Sequence, residues 1–247
     1  MDTKIELAVF LLAGRGSRIN KYTENIPKCL IEVNGKALLH VMLDKLAGRG
    51  TKKSIMVIGY LGSQIRDSIG KMWKGMEIEY VENIAWETTN NIYSLFLANN
   101  IIDRDFYLIE GDIIISDDAF ALLEGKRNFL AVSRWSENLD GTMVSLKGDQ
   151  LDKFYLKKDI PSGYDISTLF KTVNIYGLDI SDYKNLVCPE MEHIISSGET
   201  GTYYEKAFAN LANSGKLGFR AIDFSELKWA EIDNEEDYRF ARSLFGS

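Results

Sequence analysis

A glycine-rich loop with several cations follows the first apolar run of the chain. Residues 11–18 read LLAGRGSR, and Pro27-Lys28 follow nine residues later. Glycine lets a backbone approach a ligand closely, and backbone N–H groups in such a loop can form a nest for anions. Lysine and arginine side chains add positive charge at the same place. The segment predicts a phosphate-binding loop, although the arginines could instead be solvated surface residues.

The spacing distinguishes three kinds of phosphate loop. A P-loop needs GxxxxGK[ST], and no Lys-Ser or Lys-Thr pair follows these glycines. Gly14 and Gly16 fit the dinucleotide-binding pattern GxGxxG, but its third position is Ile19. The next predicted strand also ends in Gly59-Tyr60 and lacks the acidic residue that binds a ribose. These mismatches argue against a Rossmann oxidoreductase and leave the pattern LxxGxGSR followed by Pro-Lys.

Carboxylates recur where a metal site at a sheet edge would need them. Asp112 ends a buried apolar run, where a carboxylate needs a partner. Glu231 and Asp233 alternate, so they share one side of an extended segment. Hard divalent cations prefer oxygen ligands, so Asp112 and Asp233 are candidate metal ligands. Asp112 could instead cap the segment that follows, and Asp233 could be the N-cap of the terminal helix with Glu236 as capping-box partner.

The totals describe an acidic globular protein. The 247 residues include 29 Lys and Arg against 36 Asp and Glu, which gives a formal net charge of −7. This balance argues against a broad polyanion-binding surface such as a nucleic-acid groove, but it permits a small cationic site. Cys29 and Cys188 are too few for a disulfide framework, so we expect free thiols in a reducing compartment.

The sequence predicts a soluble, cytoplasmic protein. The apolar run at 5–13 could pass for a signal peptide, but residues 2–4 before it carry no net positive charge and no small-residue cleavage site follows. No apolar run approaches the ~18 residues of a membrane-spanning helix. We expect neither a membrane nor a nucleic acid as partner, and either a monomer or a homodimer.

Apolar periodicity predicts alternating strands and helices in the first half of the chain. Strands are predicted at 5–13, 53–61, 76–83 and 105–116, the last broken at Gly111, and helices at 37–46, 62–73 and 90–101. This alternation implies a parallel sheet with helices on both faces. From about 128 to 180 the chain is β-rich; helices return at 181–197 and 202–214, and a strand or two precede a terminal helix.

The loop and the Pro-Lys pair resemble the signature of the nucleotidyltransferases that make activated sugars and alcohols. The resemblance implies an α/β fold of the nucleotide-diphospho-sugar transferase type, a Rossmann-like three-layer sandwich with a mixed, mostly parallel central sheet. It also implies a single domain, 1–247, with a nucleotide-binding half at 1–115 and an acceptor-binding half at 116–247. The backbone around 12–14 would read the base, Arg18 would meet the β- and γ-phosphates, and Lys28 the α-phosphate.

Further blocks resemble the phosphocholine and phosphonate-activating cytidylyltransferase branch. They are Glu231-Ile232-Asp233 with Asp237-Tyr238, and the segments 59–61, 90–98, 171–179 and 202–207. The branch implies CTP, Mg²⁺ and a small acceptor that bears a phosphate or phosphonate, often with an amine. The phosphocholine enzymes carry an aspartate where this chain has Thr202, which favours an acceptor such as 2-aminoethylphosphonate. A phosphorylated amide, as used in capsule or cell-surface polysaccharide biosynthesis, is an alternative.

The resemblance also implies a set of site residues. The predicted nucleotide-binding residues are Leu12, Ala13, Gly14, Arg15, Gly16, Ser17, Arg18, Lys28, Asn90, Asn91, Ser94 and Gly111. The predicted acceptor-binding residues are Arg134, Trp135, Lys171, Tyr176, Tyr204, Trp229 and Glu231, and the predicted metal ligands are Asp112 and Asp233. Arg15 could equally lie on the surface, the residues at 90–94 could be helix caps, and each aromatic residue could be core packing.

The expected reaction needs positioning and charge neutralisation rather than a side-chain nucleophile. An acceptor oxygen would attack the α-phosphorus of CTP in line, with Lys28, Arg18 and Asp112 as the catalytic residues, and pyrophosphate would leave. Two alternatives stay open. One is a sugar-1-phosphate nucleotidyltransferase, and the other is a nucleotide-binding subunit without catalytic activity.

Overall fold

The first apolar run of the chain forms the strand at the centre of the main sheet. The computed structural model describes residues 4–246. Asp2 and Thr3, which were weighed above as part of a possible signal peptide, lie outside the described residues. β1 (Leu7–Leu12) is buried at every position, as its lack of period-two alternation predicts. It lies between two parallel neighbours, β4 (Lys53–Ile58) and β7 (Phe106–Glu110).

The remaining elements follow the predicted order closely. The other strands are β2 (Glu32–Val33), β3 (Lys36–Ala37), β5 (Met72–Trp73), β6 (Met76–Glu82), β8 (Ile113–Ile115), β9 (Phe129–Arg134), β10 (Met143–Lys147), β11 (Gln150–Tyr155), β12 (Phe170–Leu178), β13 (Arg220–Asp223) and β14 (Trp229–Glu231). The α-helices are α1 (Asn20–Thr23), α2 (Leu38–Gly48), α3 (Gly62–Ile69), α4 (Asn91–Leu97), α5 (Asp117–Ala121), α6 (Ile180–Asp182), α7 (Cys188–Ser196), α8 (Glu205–Asn213) and α9 (Glu235–Phe245).

Ten strands form one twisted mixed sheet that takes strands from both halves of the chain. Their order is β10-β11-β13-β9-β12-β7-β1-β4-β6-β5. The run β7-β1-β4-β6 is parallel, whereas β12 pairs antiparallel with both β7 and β9. The predicted mixed α/β fold is confirmed, with its parallel character concentrated in the first half of the chain and antiparallel pairing prevalent in the second.

Two apolar clusters, one on each face of the sheet, make the molecule three layers thick. The even-numbered residues of β1 belong to one cluster and its odd-numbered residues to the other, because side chains alternate along a strand. Helices α2, α3 and α5 cover the first face, and α4, α7 and α8 cover the second. The three-layer sandwich is therefore confirmed.

Two predicted helices end earlier than their apolar periodicity suggests. The helix predicted over 62–73 ends at Ile69, because Gly70 adopts a left-handed conformation (φ 73°) and the chain then enters β5. The helix predicted over 90–101 ends at Leu97 and continues as a 3₁₀ turn at Asn99–Ile101. Periodicity alone does not mark these ends.

A separate two-stranded sheet, β8 with β14, brings the C-terminal segment against the main sheet. β8 pairs antiparallel with β14, and the N–H of Ile232 donates to the carbonyl of Asp112 at 3.0 Å. α9 packs on this pair and on the β2–β3 hairpin through a separate apolar cluster. The loop after β7 and the loop after β14 therefore meet.

The state of the cysteines and the apolar character of the helices were also predicted from the sequence. Both cysteines are free thiols, as predicted, with Cys29 buried and Cys188 partly buried. Within residues 4–246, no helix has both the length and the apolar character that crossing a membrane requires.

Candidate active site

The glycine-rich loop leaves the carboxyl end of β1 and is anchored on both sides. Gly16 has a positive φ of 66°, and its carbonyl accepts hydrogen bonds from the Ile19 N–H at 3.2 Å and the Thr23 hydroxyl at 3.0 Å. A Cβ at Gly16 would lie 3.0 Å from the Cδ of Lys28. Ile19 is buried in the third apolar cluster. The loop is thus fixed while Arg18, 66% exposed, projects from it.

The ammonium of Lys28 lies between two carboxylates. Its Nζ is 2.6 Å from Asp112 Oδ2 and 2.6 Å from Asp233 Oδ1, and the guanidinium of Arg18 lies 2.8 Å from the same Asp233 oxygen. The Lys28 side chain is only 13% exposed. Burial opposes its positive charge, but the two carboxylates outweigh burial and raise the pKa of Lys28 above its usual value. Lys28 therefore stays cationic at neutral pH.

The structure resolves the alternatives left open for Asp112 and Asp233. Asn234, not Asp233, is the N-cap of α9, and Asp237, not Glu236, completes the capping box. The carboxylate of Asp233 is therefore free to face Lys28. Asp112 caps no helix either, because the N-cap of α5 is Ser116. Both aspartates point into the site.

The donor set at this point suits a hard divalent cation. Asp112 Oδ1 is buried and has no hydrogen-bond partner among the described residues. Within residues 4–246 there is no group of three or more His, Cys, Asp and Glu side chains that could hold a metal ion by itself. Mg²⁺ usually binds through one or two carboxylates together with substrate phosphates and water. Two aspartates fit that pattern, so Asp112 and Asp233 remain the predicted ligands.

A cleft of about 440 Å³ opens above the loop, and we call it the nucleotide cleft. All twelve predicted nucleotide-binding residues line it, as do Asp112 and Asp233. The cleft also has lining residues that sequence reasoning missed: Leu11, Cys29, Asn83, Trp86, Thr89, Glu110 and Tyr203. The structure thus brings together segments that follow β1, β6 and β7.

The asparagines and the serine at the start of α4 combine structural and cleft-lining positions. Asn90 is the helix N-cap, and its side chain accepts from the Asn91 N–H at 2.8 Å. Asn91 bridges two elements, since its Nδ2 donates to Glu110 Oε1 at 3.1 Å and its Oδ1 accepts from the Tyr204 N–H at 2.9 Å. Ser94 accepts from Asn83 Nδ2 at 3.1 Å. Asn90 is therefore a helix cap that also lines the cleft, and its contact with a nucleotide stays a prediction.

An aromatic pair borders the nucleotide cleft beside Arg15. The rings of Tyr60 and Trp86 are 5.2 Å apart, and the Arg15 guanidinium lies 5.5 Å from the Tyr60 ring centre. Trp86 follows β6 in a segment without regular periodicity, which is why its position could not be predicted. An aromatic ring in a polar cleft offers a face on which a base can stack.

A second cleft, of about 910 Å³, adjoins the first, and we call it the acceptor cleft. The two clefts share Arg18, Glu110, Asp112, Tyr203 and Asp233. Lys171 and Glu231, both predicted to bind the acceptor, line the second cleft. Lys171 is 1% exposed, and its Nζ is 3.0 Å from Glu231 Oε2. Burial opposes its charge, but Glu231 raises the pKa of Lys171.

A bulge in β12 supports this ion pair. The register of β12 against β9 shifts between Thr172 and Tyr176, and Asn174 within the bulge has a φ of 59°. This conformation directs the Asn174 amide to Glu231, with Nδ2 3.1 Å from Oε1. Asn174 also lines the acceptor cleft. An irregular strand thus positions the carboxylate.

The chain has relatives among known proteins. No protein-family model matches the chain. Over 96% of its length it is 32% identical to the CMP-5'-(3-aminopropyl)phosphonate synthase of Streptomyces rubellomurinus, 38% of which is covered. Over 42% of its length it is 35% identical to the choline-phosphate cytidylyltransferase of Streptococcus pneumoniae, 46% of which is covered. This chain is thus similar in sequence to enzymes that make CMP-phosphonates and activate choline phosphate. The resemblance inferred from the sequence is confirmed.

A solved structure shows the same nucleotidyltransferase fold. The inositol-1-phosphate CTP transferase of T. maritima superposes with a TM-score of 0.76 at 21% identity, covering 100% of this chain and 99% of that one. At this identity the likeness shows the fold alone. The chain spans less than half the length of the two relatives above. The similarity by itself therefore does not assign the activity of either whole protein to this chain.

Five residues predicted to bind the acceptor lie outside the lining of both clefts. They are Arg134, Trp135, Tyr176, Tyr204 and Trp229. Tyr176 and Tyr204 are fully buried, and their rings pack at 5.7 Å in a cluster with Phe208. Trp229 belongs to the apolar core on the other face of the sheet. Aromatic residue type does not separate a core position from a binding face, and here the core prevails.

Two carboxylates, the partly buried Glu110 and the buried Glu205, line the acceptor cleft, although sequence reasoning did not assign them to the site. Glu110 ends β7, and its Oε1 accepts from the Tyr204 hydroxyl at 3.0 Å; burial raises its pKa well above the usual range. Glu205 begins α8, and burial raises its pKa to about 7. For Glu205, the only signal in the sequence was its position after two tyrosines, in the segment TYYEKA.

Proposed function

We propose that this chain is a cytidylyltransferase that moves CMP from CTP to the phosphate or phosphonate of a small acceptor and releases pyrophosphate. The sequence relatives include one named for a CMP-phosphonate product and one named for choline phosphate. The expected acceptor belongs to the same class: phosphocholine, 2-aminoethylphosphonate or a related phosphoamide. These names support the proposal, and the two clefts give it a physical basis.

The observation that carries the proposal is that two clefts meet at one cluster of charges. Arg18, Asp112 and Asp233 line both clefts, and Lys28 lies between the two aspartates. A transfer between two substrates needs their reacting atoms held in contact and in line. A triphosphate in the first cleft and an acceptor phosphate in the second would meet at this cluster.

The chain's own residues neutralise and position charge. An acceptor oxygen forms a bond to the α-phosphorus of CTP as the bond from that phosphorus to the bridging oxygen of the β-phosphate breaks. The electron pair leaves with pyrophosphate. Lys28 and Arg18 place fixed positive charge beside the phosphoryl oxygens, where charge builds up in the transition state. The acceptor oxygen is already anionic at neutral pH, so the step needs no proton transfer.

Two described side chains of the nucleotide cleft, Cys29 and Ser94, could act as covalent nucleophiles by type but are not arranged to do so. Cys29 lines the cleft, but burial raises its pKa to about 12, so it stays a thiol. The Ser94 hydroxyl is bonded to Asn83. Direct displacement is therefore the mechanism that these residues support.

A divalent cation, with Mg²⁺ the expected ion, fits Asp112 and Asp233. The unpartnered Asp112 Oδ1 offers one hard oxygen ligand. When bound, Mg²⁺ would neutralise phosphate charge and orient the triphosphate. A cytoplasmic location, a monomer or homodimer, and a role in capsule or cell-surface polysaccharide biosynthesis remain predictions from the sequence.

The test is a matrix of pyrophosphate release in Mg²⁺. CTP, UTP, ATP and GTP are each combined with phosphocholine, phosphoethanolamine, 2-aminoethylphosphonate, a phosphoamide and glucose 1-phosphate. We expect release with CTP and a small phosphate or phosphonate acceptor. Release with glucose 1-phosphate alone would instead assign the chain to the sugar-1-phosphate enzymes, and CTP binding without release across the matrix would support a non-catalytic subunit.

A further inference from the structure

One carboxylate that lines the acceptor cleft forms no ion pair with any described residue. Glu205, the first residue of α8, is 5% exposed and lines the cleft. Its Oε2 is buried and has no hydrogen-bond partner among the described residues. A buried carboxylate oxygen without a partner costs free energy, so its presence in a cleft calls for an explanation.

Three of the four cations that line the cleft, Arg18, Lys157 and Lys171, are already paired with other carboxylates. Lys171 is paired with Glu231 at 3.0 Å, and Lys157 with Asp140 at 2.6 Å. Of the described residues that line the cleft, seven are acidic and four are basic. Glu205 forms no ion pair within residues 4–246. The charge of Lys171 acts on Glu205, but its ammonium is paired with Glu231, so a cationic ligand can supply the direct partner that Glu205 lacks.

We propose that Glu205 binds a primary ammonium group carried by the acceptor. This inference rests on the proposed function and makes it more specific, since it selects among the acceptor classes. The acceptor's phosphonate or phosphate then lies at the wall shared with the nucleotide cleft, near Arg18 and Lys28, and its amine reaches Glu205. The positive charges of Arg18 and Lys28 and the carboxylate of Glu205 together orient the acceptor with its phosphonate towards CTP.

The lining chemistry favours a primary ammonium over a trimethylammonium. A primary ammonium has three N–H donors and can satisfy the unpartnered Oε2 of Glu205 directly. A trimethylammonium donates no hydrogen bond and is usually held by several aromatic faces. Of the described residues that line the acceptor cleft, Tyr203 alone is aromatic, whereas Tyr176 and Tyr204 lie in the core.

The first test uses the wild-type protein and acceptors that differ only in the amine. Pyrophosphate release with CTP is compared within three pairs of acceptors. They are 2-aminoethylphosphonate with 2-hydroxyethylphosphonate, the corresponding aminopropyl and hydroxypropyl phosphonates, and phosphoethanolamine with phosphocholine. We expect kcat/KM to be about 10-fold or more higher with each amine than with its alcohol, a typical discrimination by a buried charged hydrogen bond. Phosphocholine should be the poorer substrate compared with phosphoethanolamine. Equal rates within each amine–alcohol pair would overturn the inference while leaving cytidylyl transfer intact.

The second test changes the carboxylate. Glu205→Gln is nearly isosteric and removes only the charge, and Glu205→Asp keeps it; Glu192→Gln, on the exposed surface of α7, makes the same charge change elsewhere. Glu205→Gln should raise KM for the amine acceptors about 10-fold or more and leave the alcohol acceptors within about twofold. CTP affinity serves as the check of folding. Unchanged discrimination in Glu205→Gln would refute the role of Glu205.

The two levels of hypothesis fail in different ways. If the wild-type chain releases no pyrophosphate from CTP with any acceptor, the proposed function is wrong. If it uses amine and alcohol acceptors, or phosphocholine and phosphoethanolamine, indifferently, the function stands and the ammonium site is wrong.

Discussion

The ammonium of Lys28 lies 2.6 Å from the carboxylate of Asp112, although 84 residues separate them in the chain. The pairing arises because the loop after β1 and the loop after β7 leave adjacent parallel strands at the same sheet edge. Asp233 reaches the same ammonium from the far end of the chain. The central charge cluster is thus a product of sheet topology, and it is where we expect the strongest effects of mutation.

Replacing Lys28 should remove most of the catalytic activity. Lys28→Ala deletes the fixed positive charge beside the transferring phosphoryl group, so we expect kcat to fall about 10²–10³-fold. Lys52→Ala is the matched control, because Lys52 is exposed at the opposite edge of the sheet, just before β4. Steady-state pyrophosphate release measures both. A Lys28→Ala enzyme with near-normal turnover would contradict the role given to this residue.

Asp112→Asn should weaken the metal dependence together with the rate. The amide keeps the shape of the side chain but loses the charge that a divalent cation needs. We expect kcat to fall by about two orders of magnitude at saturating CTP and the Mg²⁺ concentration for half-maximal rate to rise. A magnesium titration of wild type and variant measures this shift. An unchanged magnesium midpoint would show that Asp112 is not a ligand.

Trp86→Ala should weaken CTP binding more than it slows the chemical step. Loss of one stacking surface typically costs about 1–3 kcal/mol, so the Kd of CTP should rise about 10-fold or more. Trp135→Ala, outside the lining of both clefts, should leave the Kd within twofold (about the scatter of surface substitutions). Calorimetric titration with CTP compares them. Equal effects of the two substitutions would exclude Trp86 as a base contact.

Glu205→Gln should stabilise the ligand-free protein, and more so at higher pH. Burial raises the folded-state pKa of Glu205 to about 7, above its usual 4.5. The stability linked to this group is therefore fully present below about pH 4.5 and is lost as the pH rises through about 7. The melting temperature of Glu205→Gln should exceed that of wild type more at pH 8 than at pH 5. A difference that does not depend on pH would contradict a raised pKa at Glu205.

Gly111→Ala should disturb the packing that holds the loop after β7. A Cβ at this position would lie 2.3 Å from Leu12 Cδ2 and 3.2 Å from Cys29 Cβ, both in buried residues. Overpacking of this kind costs about 1–3 kcal/mol in the free energy of unfolding. Gly48→Ala, which meets no atom within 4 Å, should be close to neutral. Urea unfolding of both variants measures the difference, and equal midpoints would show that the loop can move aside.

Local patterns predicted the elements well. Buried runs and helical spacing identified β1, β4, β7 and the helices between them, because periodicity is a property of neighbouring residues. Helix ends were less predictable. The early end of α3 depends on the left-handed Gly70 and on the pairing of β5 with β6, which lies beyond the reach of periodicity.

Within the candidate site, the nucleotide-binding residues were predicted better than the acceptor-binding residues. Every nucleotide-binding residue inferred from the glycine loop and its resemblance lines the nucleotide cleft, because the loop carries its function within a few adjacent residues. The acceptor residues were predicted by chemical type, and only Lys171 and Glu231 reached the cleft. Tyrosine and tryptophan pack equally well in a core, so their type did not indicate which side of the sheet they would face.

The sequence by itself determined the position of the glycine-rich loop, the alternation of strands and helices, and the resemblance to nucleotidyltransferases, since each depends on residues close together in the chain. The tertiary structure decided which distant residues meet. It placed Lys28 between Asp112 and Asp233, put Tyr176 and Tyr204 into the core, and left Glu205 buried beside a cleft without a counter-charge. Burial and charge pairing arise from the packing of segments that lie far apart in the chain, and no local pattern encodes them.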